Sequence, residues 1–298
     1  MKAISSNAND RIGTAGLGAQ SISLIAAQNP EHIYFTGRKA KLAQEVIATV
    51  HEKIPLAQIT YLECDNADLA SIKGAANEFL AQSNRLDVFI ANAGIMAWDP
   101  QLSKDGYEIQ FAVNHIAHAL FIKLLIPIME KTASEPNSDV RIVNLTSVAY
   151  KTTPAKIIDF ETLKTDQANI GRLVAPGKWA RYGQSKLANL LYARSLAKYH
   201  PDITTVSIHP GYIRTDLFAE TNFIDRLPIV FMARGNWTPV EQGCWNEVWA
   251  ATTRRENLEN GAYYEPVAKK ITPSTAAGRD DELAEKLWQW TGKELEAY

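Results

Sequence analysis

The sequence predicts an α/β fold built on one mainly parallel, doubly wound sheet. Three observations lead there: short β-rich runs alternate with helical patterns long enough to serve as crossovers, several runs end in small or polar residues suited to a ligand crevice, and a glycine-containing run lies near the N-terminus. At 298 residues the chain exceeds a typical domain, yet single-sheet α/β folds reach this size, so one domain over 1–298 is expected.

Taken in order, Met1 to Arg11 is largely polar, with Ala3-Ile4 as its only apolar pair, so the first strand is expected to be poorly formed or missing. Gly13-Thr14-Ala15-Gly16-Leu17-Gly18 then enters a helical stretch. Thr14, Gly16, Leu17 and Gly18 are candidates to face a pyrophosphate at the helix N-terminus, although an ordinary glycine-containing helix start explains the same residues equally well. Strands are expected at Ile33 to Thr36, Ile59 to Cys64, Leu86 to Ala91, Val140 to Leu145 and Thr204 to Ile208. Helices are expected between them, at Ala40 to Lys53, Leu69 to Gln82, Gly106 to Lys131 and Arg181 to Tyr199. Crossovers of that length make the strands parallel and cover both faces of the sheet. Two long loops remain, Lys151 to Lys178 and an insertion at about Leu217 to Trp237, and long loops in compact domains tend to carry function. Thr238-Pro239-Val240-Glu241 has the pattern of a capping box that starts a further helix.

Composition narrows the function. Lys plus Arg number 31 against 33 Asp plus Glu, which leaves no excess positive charge for nucleic-acid phosphates and favours a small-molecule ligand. Cys64 and Cys244 are too few for a disulfide framework, a zinc cluster or a C-x-x-C redox pair, so no metal is expected and a reducing compartment fits. The N-terminus lacks the apolar core of a signal peptide, and a cytoplasmic location is expected. Ala119 to Met129 is interrupted by Lys123 and falls short of the roughly 20 apolar residues of a spanning helix, so it reads as buried.

Ligand-binding candidates gather at the predicted strand ends. Asp65, after the Ile59 to Cys64 run, can accept a hydrogen bond from an adenine amino group, and Asn92-Ala93-Gly94 lets backbone approach a ribose. Arg38 and Lys39 follow Gly37 at the place where a dinucleotide site tests the adenosine ribose. An acid there would bind a 2′-hydroxyl, whereas Arg pairs with a 2′-phosphate, and no Asp or Glu occurs between Ile33 and Ala43, so NADP is favoured over NAD.

Tyr182 and Lys186 share one helix face at i,i+4 spacing. A free tyrosine ionises near pH 10, and a lysine cation beside it would stabilise the phenolate for acid/base work at neutral pH. Ser147, at the end of the Val140 to Leu145 strand, can hold a substrate oxygen. Asn114, inside a helix, can hold a water that carries a proton onward, or simply bond backbone.

The ordered set Asn92-Ala93-Gly94, Asn114, Ser147, Tyr182/Lys186 and His209-Pro210-Gly211 resembles the short-chain dehydrogenase/reductase superfamily, from about Gly13 to the C-terminus. The resemblance implies a seven-stranded Rossmann sheet of order 3-2-1-4-5-6-7 and hydride transfer between a nicotinamide and a carbinol carbon. It makes Tyr182 the acid/base, with Lys186 also on the nicotinamide ribose. It further implies that Ser147 polarises the substrate, that Asn114 supports a proton relay, and that Pro210, Gly211 and Thr215 line the nicotinamide. Asp159-Phe160-Glu161 and Ser185-Lys186-Leu187-Ala188-Asn189 look like the retinol-dehydrogenase-like branch. Phe218, Phe223, Leu227, Ile229, Val230, Phe231 and Met232 suggest an apolar substrate pocket, or else packing or a contact within a homo-oligomer. One departure stands out: Ile12 occupies the place of the family's first glycine. That favours the alternative of a non-catalytic Rossmann binding or regulatory protein, against which the intact Tyr182, Lys186, Ser147 and Asn114 argue.

Overall fold

The computed structural model describes residues 1–6, 17–153, 157–171, 177–213, 230, 233, 235, 237–239 and 242–298, with no description of the side chains of residues 4–6 and 17. Thr14, Gly16, Thr215 and most of the expected 217–237 loop lie outside them.

Eight strands form one sheet: β1 (Lys2–Ser6), β2 (His32–Gly37), β3 (Ile59–Glu63), β4 (Val88–Ala91), β5 (Arg141–Leu145), β6 (Thr204–Ile208), β7 (Tyr263–Glu265) and β8 (Lys269–Lys270). Their spatial order is β3-β2-β1-β4-β5-β6-β7-β8. Strands β1 to β7 are parallel, and β8 adds a short antiparallel edge to the seven expected. The order reverses between β1 and β4, so the ligand crevice of a doubly wound sheet falls at the carboxyl ends of those strands.

The doubted first strand is short but present. It lies at the centre of the sheet, with Ala3 opposite Ile33 on one side and Val88 on the other. Its pairing is a main-chain property that side-chain periodicity does not register. Ala3 is buried, and the polar Lys2 is absorbed at the strand's start, where its amide donates to Asp87 Oδ2 (2.7 Å) and its ammonium meets Glu31 (3.3 Å).

Helices cover both faces. On one side α1 (Leu17–Ala26), α2 (Ala40–Lys53) and α6 (Trp245–Thr252) pack on Ile33, Phe35, Val88, Val143 and Val206. On the other, α3 (Leu69–Gln82), α4 (Ile109–Ala133), α5 (Gly177–Tyr199) and α7 (Asp281–Glu294) pack on Tyr34, Leu62, Phe89 and Ile142. Carboxylates cap helix starts: Asp68 accepts from Ala70 and Ser71 N–H, and Asp280 from Leu283 N–H. Helix α4 is long and apolar enough to cross a membrane, but 78% of its most apolar stretch is buried in this fold, as expected for a core helix. It begins at Ile109 rather than Gly106, because Gly106 takes φ +80° in the preceding turn and the buried Glu108 provides the cap, accepting from Gln110 and Phe111 N–H. Helix α5 begins a turn earlier than expected, at Gly177.

Thr238, expected as a helix cap, makes a parallel bridge with Ile213, Gln242 N–H donates to Pro239 O (2.9 Å) in a single turn, Val240 and Glu241 lie outside the described residues, and the next α-helix described starts at Trp245. The bridge uses the Thr238 amide, which donates to Tyr212 O (2.8 Å).

Candidate active site

The catalytic candidates meet at the carboxyl ends of β4, β5 and β6, on the sheet face covered by α4 and α5. Ser147 follows β5 and starts the 3₁₀ turn Val148–Thr152, its Oγ accepting from Ala149 N–H (3.2 Å). Its hydroxyl also bonds the Tyr182 phenol. Tyr182 and Lys186 lie on the buried face of α5, with the Lys186 ammonium 5.8 Å from the centre of the Tyr182 ring and donating to Leu145 O (3.1 Å).

Asn114 sits in a π-turn, Ala112–Ile116, inside α4, where Ala117 N–H reaches back to Ala112 O. Such single-turn bulges are frequent at functional sites. Its side chain makes three hydrogen bonds: Oδ1 accepts from Ile95 N–H (2.8 Å), while Nδ2 donates to Ile95 O (3.0 Å) and Ser185 Oγ (2.8 Å). The Asn114 amide therefore pins the chain after β4 to α5. Gly94 makes the assembly possible, since a Cβ there would lie 3.1 Å from Asn114 Oδ1 and 3.4 Å from Lys186 Nζ.

Electrostatics here differ from the expectation of a lysine-stabilised phenolate. Burial pushes Tyr182 up to about 12, with Ser147 partly opposing it, and burial alone holds Lys186 down to about 7. Removing both groups from water disfavours both charged forms. Burial thus favours the neutral phenol at Tyr182 and the neutral amine at Lys186.

Of the cofactor candidates, Arg38 follows β2 directly, and the Tyr61 hydroxyl donates to Gly37 O (2.8 Å) beside it. Asp65 follows β3 by one residue, half-buried, with Oδ1 accepting from Ala67 N–H (2.9 Å) in a local turn. Asn92 follows β4, while Pro210 and Gly211 follow β6. Gly211 has φ +115°, and a Cβ on it would lie 2.4 Å from Thr238 Oγ1, so only glycine fits. Gly18 is buried within the first turn of α1. Arg38, Asp65, Asn92, Pro210 and Gly211 thus all follow the carboxyl ends of parallel strands, the end at which a doubly wound sheet takes its ligand.

Sequence reasoning missed several groups. Ser185 locks Asn114, and its hydroxyl donates in turn to Tyr182 O (2.8 Å). Buried His118 lies beneath Asn114, its Nδ1 donating to Asn114 O (3.0 Å) and its Nε2 facing Asn66 Nδ2 (3.4 Å). The i,i+4 spacing of Asn114 and His118 was the available signal. Around Tyr182 stands an apolar wall of Ala97, Ala149 and Trp179, with Met96, Tyr212 and Trp237 packed against it. The Trp179 indole meets the Tyr182 ring edge to face at 6.0 Å. Arg181, buried against Glu108 (3.4 Å), donates to Gln167 O and Trp98 O and so ties the 157–171 loop to α5.

The model of the short chain dehydrogenase family matches residues 12–162. A short-chain dehydrogenase/reductase of Aspergillus calidoustus is 33% identical over 296 residues, covering 95% of this chain and 91% of that protein. An oxidoreductase of Schizosaccharomyces pombe is 34% identical over 294 residues, covering 95% and 83%. Among solved structures, NADPH-bound carbonyl reductase from chicken fatty liver superposes with a TM-score of 0.63 at 22% identity, over 91% of this chain and 98% of that one.

Proposed function

Since the chain belongs to the short-chain dehydrogenase/reductase family and is an oxidoreductase of alcohol and carbonyl groups, we propose that it uses NADP(H) to interconvert an alcohol and a carbonyl on an apolar small molecule. The observation that carries this reading is the union of Ser147, Tyr182, Lys186 and the Asn114–Ser185 pin in one buried site. It is a complete acid/base set, and a binding module has no use for it. The presence of β1 supports a sheet that is whole at its centre, while Ile12, on which the non-catalytic alternative rests, lies outside the described residues.

When bound, the nicotinamide supplies or accepts the hydride. In the carbonyl-reducing direction Ser147 and the Tyr182 phenol hold the substrate oxygen, and Tyr182 gives it a proton as the carbon is reduced. Lys186, poised near neutral pH, returns a proton toward the phenol, and Asn114 keeps the chain around Gly94 and Lys186 in place. Much of the rate advantage comes from this fixed orientation. Arg38 favours a 2′-phosphate, which supports NADP over NAD. NADPH bound to the chicken reductase is consistent with that choice. Asp65, Asn92, Pro210 and Gly211 are the other proposed contacts, with Thr14, Gly16, Leu17, Gly18 and Thr215 proposed from sequence. The apolar wall at Tyr182 supports an apolar substrate.

The test is NADPH consumption against a panel of apolar aldehydes and ketones. Turnover that persists in Tyr182→Phe would reject the assigned chemistry.

A further inference from the structure

Among the described residues, none hydrogen-bonds the His209 side chain. It is 4% exposed, and neither Nδ1 nor Nε2 has a hydrogen-bond partner. Burying such a group unsatisfied is costly, so its survival in a packed site calls for a partner that the protein itself does not provide.

The surroundings say where that partner would be. His209 follows β6, whose Val206 and Ile208 belong to the core on the α1 side of the sheet. By strand alternation His209 faces the other side, where α5 carries Tyr182 and Lys186. Thr146 N–H donates to Ile208 O (2.8 Å), which places His209 across the ladder from the residues that lead into Ser147. The imidazole packs edge to face on Tyr212 at 5.4 Å, and Tyr212 packs on the wall around Tyr182. Trp179 in that wall has a second unpartnered polar atom, its buried Nε1.

We propose that His209 is a specificity-determining residue. On this inference the substrate is a ring-bearing carbonyl or alcohol whose apolar body lies on the wall of Trp179, Tyr212 and Trp237, and which carries a second oxygen that hydrogen-bonds the His209 imidazole. The inference rests on the proposed oxidoreductase site and adds the substrate's second polar group. Burial and the nearby Lys151 and Lys186 keep the imidazole neutral, so it offers one donor and one acceptor and meets a hydroxyl or a carbonyl equally well. A site built around such a bond discriminates strongly, because an analogue lacking the oxygen leaves the imidazole unpaired.

The test uses 1-tetralone and the set of hydroxy-1-tetralones that carry one hydroxyl at each ring position. Binding to the full chain with saturating NADP⁺ is measured by calorimetry, beside NADPH-dependent turnover. At least one hydroxy isomer is expected to bind about tenfold or more tightly than the parent, and His209→Phe should bring that ratio to about twofold or less. Parent affinity and melting temperature should stay the same or rise in His209→Phe, because an unpaired imidazole has been removed; His209→Gln should restore part of the ratio. A wild-type protein that treats all isomers as it treats the parent overturns the inference, as do a ratio that survives in His209→Phe and a failure of every tetralone to bind. Tyr182→Phe separates the two readings. It should keep the binding ratio while losing turnover, so tight isomer binding without turnover in the wild type would fail the oxidoreductase reading and leave the role of His209 standing.

Discussion

Gly183 lies between Tyr182 and Gln184 in α5, and the substitution Gly183→Ala tests how closely the catalytic helix must approach the turn that follows Ser147. Alanine ordinarily favours a helix interior over glycine by about 1 kcal/mol. Here the added Cβ would lie 2.8 Å from Thr152 Oγ1, 2.9 Å from Ala149 O and 3.1 Å from the Thr152 carbonyl carbon. Two of those atoms are backbone, and Thr152 Oγ1 is itself donating to Ala149 O (2.8 Å), so no side-chain rotation relieves the contact. The turn must move away from α5. Overpacking of this kind costs about 1–3 kcal/mol. With the backbone obstructing, the upper half of that range applies, which leaves a net loss of about 1–2 kcal/mol after the helix gain. Because the same turn begins at Ser147, the shift also separates Ser147 from Tyr182, and a displacement of even 1 Å in such a site can cost up to about 100-fold in rate. Gly74→Ala in α3 is the control, since a Cβ there meets nothing within 4 Å and should stabilise by about 0.5–1 kcal/mol. Urea unfolding of both variants, with NADPH turnover measured in parallel, gives the answer. If Gly183→Ala proved as stable as Gly74→Ala and fully active, the close approach of α5 to the Ser147 turn would be irrelevant to both folding and catalysis.

Arg38→Asp should reverse the cofactor preference, read by fluorescence titration of NADPH and NADH; tighter NADH binding by the unaltered protein would refute the assignment of Arg38. Lys186 gives a pH prediction: its folded pKa of about 7 lies below the ordinary lysine value of 10.5, so the unfolded chain holds the extra proton between those limits and stability rises with pH across them. Tyr182, raised from 10.0 to about 12, works against this above pH 10, where the unfolded phenol ionises first. Lys186→Met should therefore gain stability over wild type at pH 7, with the difference narrowing by pH 9 in urea titrations, and a constant difference would show that Lys186 is not desolvated. Asn114→Ala takes the side-chain partner from the Ile95 N–H and C=O and the donor from Ser185 Oγ and should lower melting temperature and turnover together, whereas loss of turnover at unchanged stability would favour the water-holding role.

Most of the scaffold was legible because hydrophobic runs and helix periodicity report burial directly. Ile33 to Thr36 and Thr204 to Ile208 emerge as strands for that reason, and β1 does not, because in Lys2–Ser6 the pairing is main-chain and Ala3-Ile4 is the only apolar pair. The site residues Ser147, Tyr182 and Lys186 were readable from spacing and order. Their electrostatics were not, because the shifts of Tyr182 and Lys186 come from burial by residues distant in sequence. The same limit hid the Asn114–Ile95 pin and the wall formed by Met96, Trp179, Tyr212 and Trp237, which come together only when three strand ends and α5 meet.

The central claim is that Tyr182 protonates the substrate oxygen while hydride is transferred at the adjacent carbon. It is tested most directly with NADPH deuterated at nicotinamide C4, a carbonyl substrate that the wild-type protein accepts, and mass spectrometry of the alcohol formed. The wild-type product should carry deuterium on the carbinol carbon, and Tyr182→Phe should bind NADPH with the same Kd yet form no labelled alcohol. Labelled alcohol from Tyr182→Phe at the wild-type rate would contradict the account.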